Sequence, residues 1–205
     1  MKDGILYVVS APSGAGKTSL CKEIVDFYPA LGHSVSYTTR SQRNGEQDGI
    51  DYHFVDEETF QGMINAGAFA EWAQVHGNYY GTALTTIDQA KAAGQDLLLE
   101  IDCQGAEQIK RNIPDAVFIF ILPPNLIELR RRLDKRGTDS VEVIERRLQN
   151  AAGEIRQAGW YDYLIINDDF VVATEEFKAV IRAEGVRTDR CRHHVETIFG
   201  PFSAD

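Results

Sequence analysis

The chain reads as an α/β protein of three layers, a central parallel sheet with helices on both faces. Three observations carry this. Short, uniformly apolar runs recur along the chain, the pattern of strands buried on both faces. Helical stretches separate them, as crossovers between parallel strands require. A glycine-rich loop joins the first apolar run to the first helical stretch. With 205 residues, 43% hydrophobic and 25% charged, the chain is long enough for one well-buried domain and ordinary in composition.

Residues 5–10 are apolar with β-branched members and are expected as the first buried strand. Gly14 and Gly16 follow, then a helix over 17–27 with Leu20, Ile24 and Phe27 on one face, stopped by Pro29. Residues 96–101 and 116–122 are two further strands, with a short helix over 104–112 between them. A short strand is expected over 163–167 and a helix over 172–186. Two stretches break the rhythm. Residues 36–84 are rich in Thr, Arg, Gly, Asn and Tyr, with strand-like pieces at 53–55 and 69–75, and are expected as an inserted substrate-facing subdomain. Residues 130–147 carry seven of the 21 basic residues, Arg130, Arg131, Arg132, Lys135, Arg136, Arg146 and Arg147. Gly137 and Thr138 interrupt the helical pattern there, so this region reads as two helices joined by a mobile basic loop. The tail from Arg187 to Asp205 has a partly apolar end and no assigned role.

A net charge of −10 repels a phosphate backbone, so nucleic acid is not an expected partner. A local basic cleft can still bind a small phosphorylated ligand. The apolar run at 5–11 is too short to span a membrane and lacks the features of a signal peptide. Cys21, Cys103 and Cys191 are odd in number and widely spaced. They indicate neither a disulfide framework nor a zinc site, and a reducing cytoplasm is the natural reading. His193 and His194 lie in a polar tail with no third ligand at a usable spacing and are expected to be solvated.

The loop Ala11-Pro12-Ser13-Gly14-Ala15-Gly16-Lys17-Thr18 carries the first chemistry. Glycines let the backbone fold into a cradle of N–H groups, and the helix that follows adds its positive end. Lys17 supplies charge for the β- and γ-phosphates of a nucleotide, and Thr18 a hydroxyl for magnesium. The general pattern begins with glycine where this chain has Ala11, a change tolerated at negative φ. Leu97-Leu98-Leu99-Glu100-Ile101-Asp102 then ends a parallel strand in two acids, at the sheet end where ligands bind. Strand alternation predicts Glu100 and Asp102 on one face, with Asp102, alone or with Glu100, holding magnesium through water.

The stretch from Thr38 to Val55 contains Arg40 and Arg43, three apart, then Glu46 and Tyr52. Arginine forks and a tyrosine hydroxyl suit a compact dianion, although stray arginines on a solvated loop fit the same residues. The TTRxxRxxExxGxxY spacing, the SAPSGAGKT loop, Asn78-Tyr79-Tyr80-Gly81, Gly137-Thr138 and Ile166-Asn167-Asp168-Asp169 together resemble the guanylate kinase family over nearly the whole chain.

That resemblance implies a P-loop NTPase fold with a core of 1–35, 85–129 and 160–190, an inserted GMP-binding subdomain (36–84) and a mobile helical lid (130–159). It implies transfer of the ATP γ-phosphate to GMP, with Mg²⁺ accompanying ATP and no tightly bound organic cofactor. Arg40, Arg43, Tyr52 and Tyr80 would hold the GMP phosphate, with Glu46 supporting the arginines. Ser36, Glu71 and Thr82 would surround the guanine, with Glu100 and Asp102 beside the GMP. Arg132, Arg136 and Arg147 would reach the transferring phosphates from the lid, and Asn167 would lie near the adenine or the lid contacts. The family often has aspartate at Glu100 and serine at Thr82, which leaves the division of labour between Glu100 and Asp102 open. Two other readings compete: a kinase for another acceptor such as ribose 1,5-bisphosphate, and a non-catalytic guanylate-kinase-like interaction domain. Oligomeric state is not read from the sequence.

Overall fold

A computed structural model describes residues 4–75, 77–135 and 140–202. Strand β1 (Leu6–Ser10) enters the core directly, four of its five residues being buried. Helix α1 (Lys17–Phe27) buries Leu20, Cys21 and Ile24. It ends because Tyr28 precedes Pro29, which disfavours helical backbone at Tyr28, and Tyr28 takes φ −113° and ψ 86°. Strand β2 (Gly32–His33) is only two residues long.

A second, smaller unit follows: β3 (Tyr37–Thr38), β4 (His53–Phe54), helix α2 (Glu57–Asn65), β5 (Phe69–Val75) and β6 (Asn78–Ala83). Asp56 starts α2 by accepting the Thr59 N–H at 2.7 Å. These strands form their own sheet in the order β4-β3-β6-β5, with β5 and β6 an antiparallel hairpin. Phe60 of α2 packs on it, stacked on Phe69 and Tyr79 at centroid distances of 4.5 and 5.4 Å.

The main sheet resumes after α3 (Leu84–Ala93) with β7 (Leu97–Glu100), α4 (Cys103–Asn112) and β8 (Val117–Leu122). Helices α5 (Leu126–Lys135) and α6 (Val141–Ile155) carry the basic region, and a 3-10 turn (Arg156–Trp160) leads to β9 (Tyr163–Ile166). Helices α7 (Phe170–Gly185) and α8 (Thr188–Phe199) complete the chain. The sheet order is β2-β7-β1-β8-β9, parallel throughout. One face buries Tyr7, Val9 and Ile119 against Leu20, Ile24, Phe177 and Ile181 of α1 and α7. The other buries Val8, Leu99, Phe118 and Phe120 against Ile109 of α4 and Tyr161. The three layers are therefore those expected, and α5 and α6 keep a small core of their own around Leu129, Leu133 and Ile144.

The topology fixes where ligands must sit. In a parallel sheet all C-terminal strand ends point the same way, and β1 and β7 are neighbours with Val9 opposite Glu100. The loop after β1 and the acids after β7 thus emerge side by side. Among the described residues no helix is long and apolar enough to cross a membrane.

Candidate active site

The phosphate loop has the shape its glycines allow. Gly14 and Gly16 take φ of 96° and 94°, a left-handed region that residues with a Cβ adopt at a cost. At Gly16 space is limiting as well, since a Cβ there would lie 2.4 Å from Nδ2 of Asn167. That Asn167 amide, buried behind the loop, donates to the Ala15 carbonyl at 2.7 Å. Its own carbonyl accepts from Arg132 at 2.8 Å. Ala11 is partly buried and packs on the core cluster. Pro12 accepts the Ala15 N–H, closing the turn that carries Ser13. Lys17 opens α1 and donates from Nζ to the Ile101 carbonyl at 2.7 Å, which holds it across the tip of β7.

The two acids take different partners. Strand β7 ends at Glu100, and Asp102, still extended at φ −84° and ψ 175°, caps α4 by accepting the Gly105 N–H at 2.8 Å. A side chain that satisfies an orphan helix N–H starts a helix, and alternation no longer applies past it. Glu100 bonds to the loop, accepting the Thr18 hydroxyl at 2.5 Å. Thr18 and Glu100 form a set of hard oxygen donors, the kind that suits Mg²⁺.

On the second sheet, Arg40 follows β3 and is held on several sides. Its guanidinium donates to Glu46 and to the Ser41 carbonyl, each at 2.7 Å, and its Cζ lies 5.3 Å from the Tyr52 ring centre. The other Glu46 oxygen accepts the Arg43 N–H at 2.8 Å, so one carboxylate ties both arginines together. The Arg40 hydrogen bond holds the Glu46 carboxyl below the usual carboxylate range. Arg43 is exposed, Ser36 is half-buried, and the Tyr52 and Tyr80 rings approach edge to face at 6.0 Å.

Glu71 is the most unusual group in this unit. It is 4% exposed, on β5, and accepts the hydroxyl of Thr82, itself fully buried, at 2.6 Å. Burial pushes its carboxyl up to about 7, with the Thr82 hydrogen bond pulling the other way and Asp102 adding to the rise. Glu71 lies against Gly105 at the start of α4, close after Ile101, whose carbonyl holds Lys17, so this part of the second sheet faces the phosphate loop. Thr82 has one O–H, and it is committed to Glu71. An acceptor on a ligand must then find its donor elsewhere, with Ser36 the remaining hydroxyl of the expected set.

The basic helices flank the loop. Arg132 reaches the Ala15 carbonyl at 3.4 Å as well as Asn167. Glu128, one turn earlier, accepts from Arg132 at 2.8 Å and from Arg131 at 2.7 Å, and these two arginines hold its carboxyl well below the usual range. Sequence reasoning missed Glu128, although a carboxylate four residues before Arg132 on a helix was a usable signal. Arg147 lines a cleft of about 490 Å³ with Ser13, Asp102, Gln104 and Glu154. Arg136, Gly137 and Thr138 lie outside the described residues. Among the described residues no group of three or more His, Cys, Asp or Glu is gathered as a protein-only metal cage.

Comparison with known proteins identifies the family. The guanylate kinase family model matches residues 4–184. The guanylate kinase of Syntrophotalea carbinolica is 63% identical over 198 residues, 97% of this chain and 94% of that protein. That of Geobacter sulfurreducens is 57% identical over 97% of this chain and 98% of its own length. The crystal structure of guanylate kinase from Anaplasma phagocytophilum superposes with a TM-score of 0.80 at 33% identity, covering 98% of each chain.

Proposed function

The chain belongs to the guanylate kinase family, and on that premise we propose that it transfers the γ-phosphate of ATP to GMP, giving ADP and GDP. The observation that carries the acceptor's identity is the buried Glu71–Thr82 pair facing the phosphate loop. Guanine offers N1–H and N2–H₂ as adjacent donors, and a carboxylate accepts both. Adenine has no N1–H and would leave that carboxylate buried and poorly paired, a mismatch that can discriminate by orders of magnitude. A ribose bisphosphate would make no use of Glu71.

The division of labour follows from position. ATP lies along Ser13–Thr18, its phosphates on the loop N–H groups, with Lys17 turning from Ile101 to the β- and γ-oxygens. Thr18 and Glu100 would hold Mg²⁺, which would neutralise phosphate charge when bound. Asp102 instead starts α4 beside the acceptor. Arg40, Arg43, Tyr52 and Tyr80 fix the GMP phosphate so that its oxygen faces the γ-phosphorus in line. No general base is needed, because that phosphate is already mostly dianionic at neutral pH. Arg132, Arg136 and Arg147 close from the lid to stabilise the moving phosphoryl and exclude water. Residues 36–84 are thus the acceptor subdomain, 130–159 the lid, and the remaining sheet the ATP-binding core. The three cysteines are free, which fits a cytoplasmic setting.

The test is ADP formation from Mg–ATP with GMP, AMP, UMP, CMP and ribose 1,5-bisphosphate as separate acceptors. Turnover with GMP alone is expected, and turnover led by another acceptor overturns the guanine site. Glu71→Gln is expected to erode the preference for GMP over AMP by about tenfold or more. The wild-type pH profile carries a second signature. In the empty enzyme the raised Glu71 value favours the neutral acid, so that contribution to stability is complete below the ordinary carboxylate range and is lost as pH rises through about 7. Guanine needs the anion, so GMP binding runs the other way: the GMP KM should rise as pH falls below about 7, by up to tenfold per unit. The phosphate of GMP titrates nearby as well. Glu71→Gln retains that phosphate contribution and should remove only the remainder, and an identical profile in the variant would exclude Glu71 from the base site.

A further inference from the structure

Gly105 is the third residue of α4, and it is a poor choice for a helix by propensity alone. Its backbone does not need glycine either, since it is absent from the residues with positive φ. What surrounds it does. A Cβ at this position would lie 2.3 Å from Oε2 of Glu71 and 3.0 Å from its Cδ, far inside any normal contact. Gly105 is itself buried, so the carboxylate rests against the bare helix backbone. One turn along the same helix, Gln108 clasps the strand that carries Glu71. Its Nε2 donates to the Trp72 carbonyl at 2.7 Å, and its Oε1 accepts the Trp72 N–H at 3.2 Å. Strand β5 is the edge of its sheet, and this side-chain amide supplies the pairing that a further strand would give. Helix α4 belongs to the ATP-binding core and β5 to the acceptor sheet, so this seam joins the two halves of the site.

We propose that Gly105 and Gln108 form a seat on α4 that positions Glu71, making Gly105 a specificity-determining residue for the acceptor base. Gln108 fixes the strand's register against the core. Gly105 leaves the volume into which the Glu71 carboxylate fits, on the side opposite Thr82. Both act through Glu71 and neither touches the reacting phosphates. The inference rests on the reading of Glu71 as the guanine contact.

Gly105→Ala tests it. Alanine favours the helix, and the nearest atom is the end of a flexible side chain, so the fold has a cheap way to adapt: Glu71 moves. Expected in the variant are a GMP KM at least tenfold higher, an ATP KM within twofold of wild type, and a GMP-over-AMP preference at least tenfold lower. The Glu71 contribution to the pH profile should also move below its wild-type position near 7. A purely structural defect would not produce that selective split. In a Glu71→Gln background, adding Gly105→Ala should change the GMP KM by less than twofold, because the group being positioned is gone. Should Gly105→Ala not fold, judged by thermal unfolding and ATP binding, Gln108→Met decides: it keeps side-chain bulk, loses the clasp, and should raise the GMP KM at least threefold with the ATP KM unchanged. A folded Gly105→Ala enzyme with wild-type KM and preference overturns the seat, as does a full additional loss on top of Glu71→Gln, or a silent Gln108→Met where alanine is not tolerated. If Glu71→Gln alone leaves the preference intact, the guanine reading falls and the seat with it. If only Glu71→Gln matters, the reading stands and the seat alone fails.

Discussion

Lys17→Met should leave a folded protein whose turnover with GMP is lower by about 10²–10³, the effect of removing one preorganised charge from a developing anion. The substitution keeps length and helix propensity at the start of α1, so stability should change little. In this structure the ammonium is bound to the Ile101 carbonyl at 2.7 Å, at the tip of the central sheet and beside the Gly14–Gly16 cradle. That carbonyl lies next to the cleft and can take water when the lysine is lost. The loss should therefore fall on kcat more than on either KM, since loop N–H groups bind ground-state phosphates without Lys17 while the charge that develops during transfer needs it. Steady-state kinetics with a thermal unfolding control checks this. Turnover within a fewfold of wild type would remove Lys17 from the chemistry and revive the binding-module reading.

The sheet was legible because buried parallel strands are apolar on both faces, and Leu6–Ser10, Leu97–Glu100 and Val117–Leu122 carry that mark without ambiguity. The acceptor unit was harder. The strand-like pieces at 53–55 and 69–75 correspond to β4 and β5, but β3 is two residues long, as is β2 of the main sheet, too short for any periodicity. Helix α2 buries Phe60 alone and α3 only Ile87 and Ala90, so neither presents a strong apolar stripe. Helix α8 buries none of its residues, which is why the tail suggested no element. The capping role of Asp102 was not legible for a local reason: two acids at alternate positions look like a continued strand, and only the structure shows the Asp102 side chain accepting the Gly105 N–H. Glu71 shows the deeper limit. In Phe69-Ala70-Glu71-Trp72 it resembles a surface acid, and only the packing of the β5–β6 hairpin against α4, well separated in sequence, buries it. The family resemblance supplied that assignment where periodicity could not. It did not point to Gly105, whose meaning depends on a contact 34 residues away in the chain.

Arg40→Met should raise the GMP KM by about 10²-fold while leaving the ATP KM within twofold. Each hydrogen bond to a charged group contributes about 1.5–3 kcal/mol, so the lower end of a two-point fork already accounts for that factor. What makes the full value attainable is the state of the side chain before GMP arrives. Its side chain is only 12% exposed, Glu46 and Ser41 fix two of its nitrogens, and Tyr52 supports its plane. Little rotamer freedom is left to lose on binding. Glu46→Gln should therefore show a smaller effect of the same kind, because it loosens Arg40 and Arg43 together without removing either charge. Arg40→Lys separates charge from geometry: an ammonium keeps the attraction but cannot present the planar fork, and its GMP KM should fall between wild type and Arg40→Met. Because Arg40 lies on the acceptor sheet and Lys17 on the phosphate loop, the two variants should divide the kinetics, one in the GMP KM and the other in kcat. If Arg40→Met weakened ATP and GMP equally, two separate phosphate sites would no longer describe this cleft.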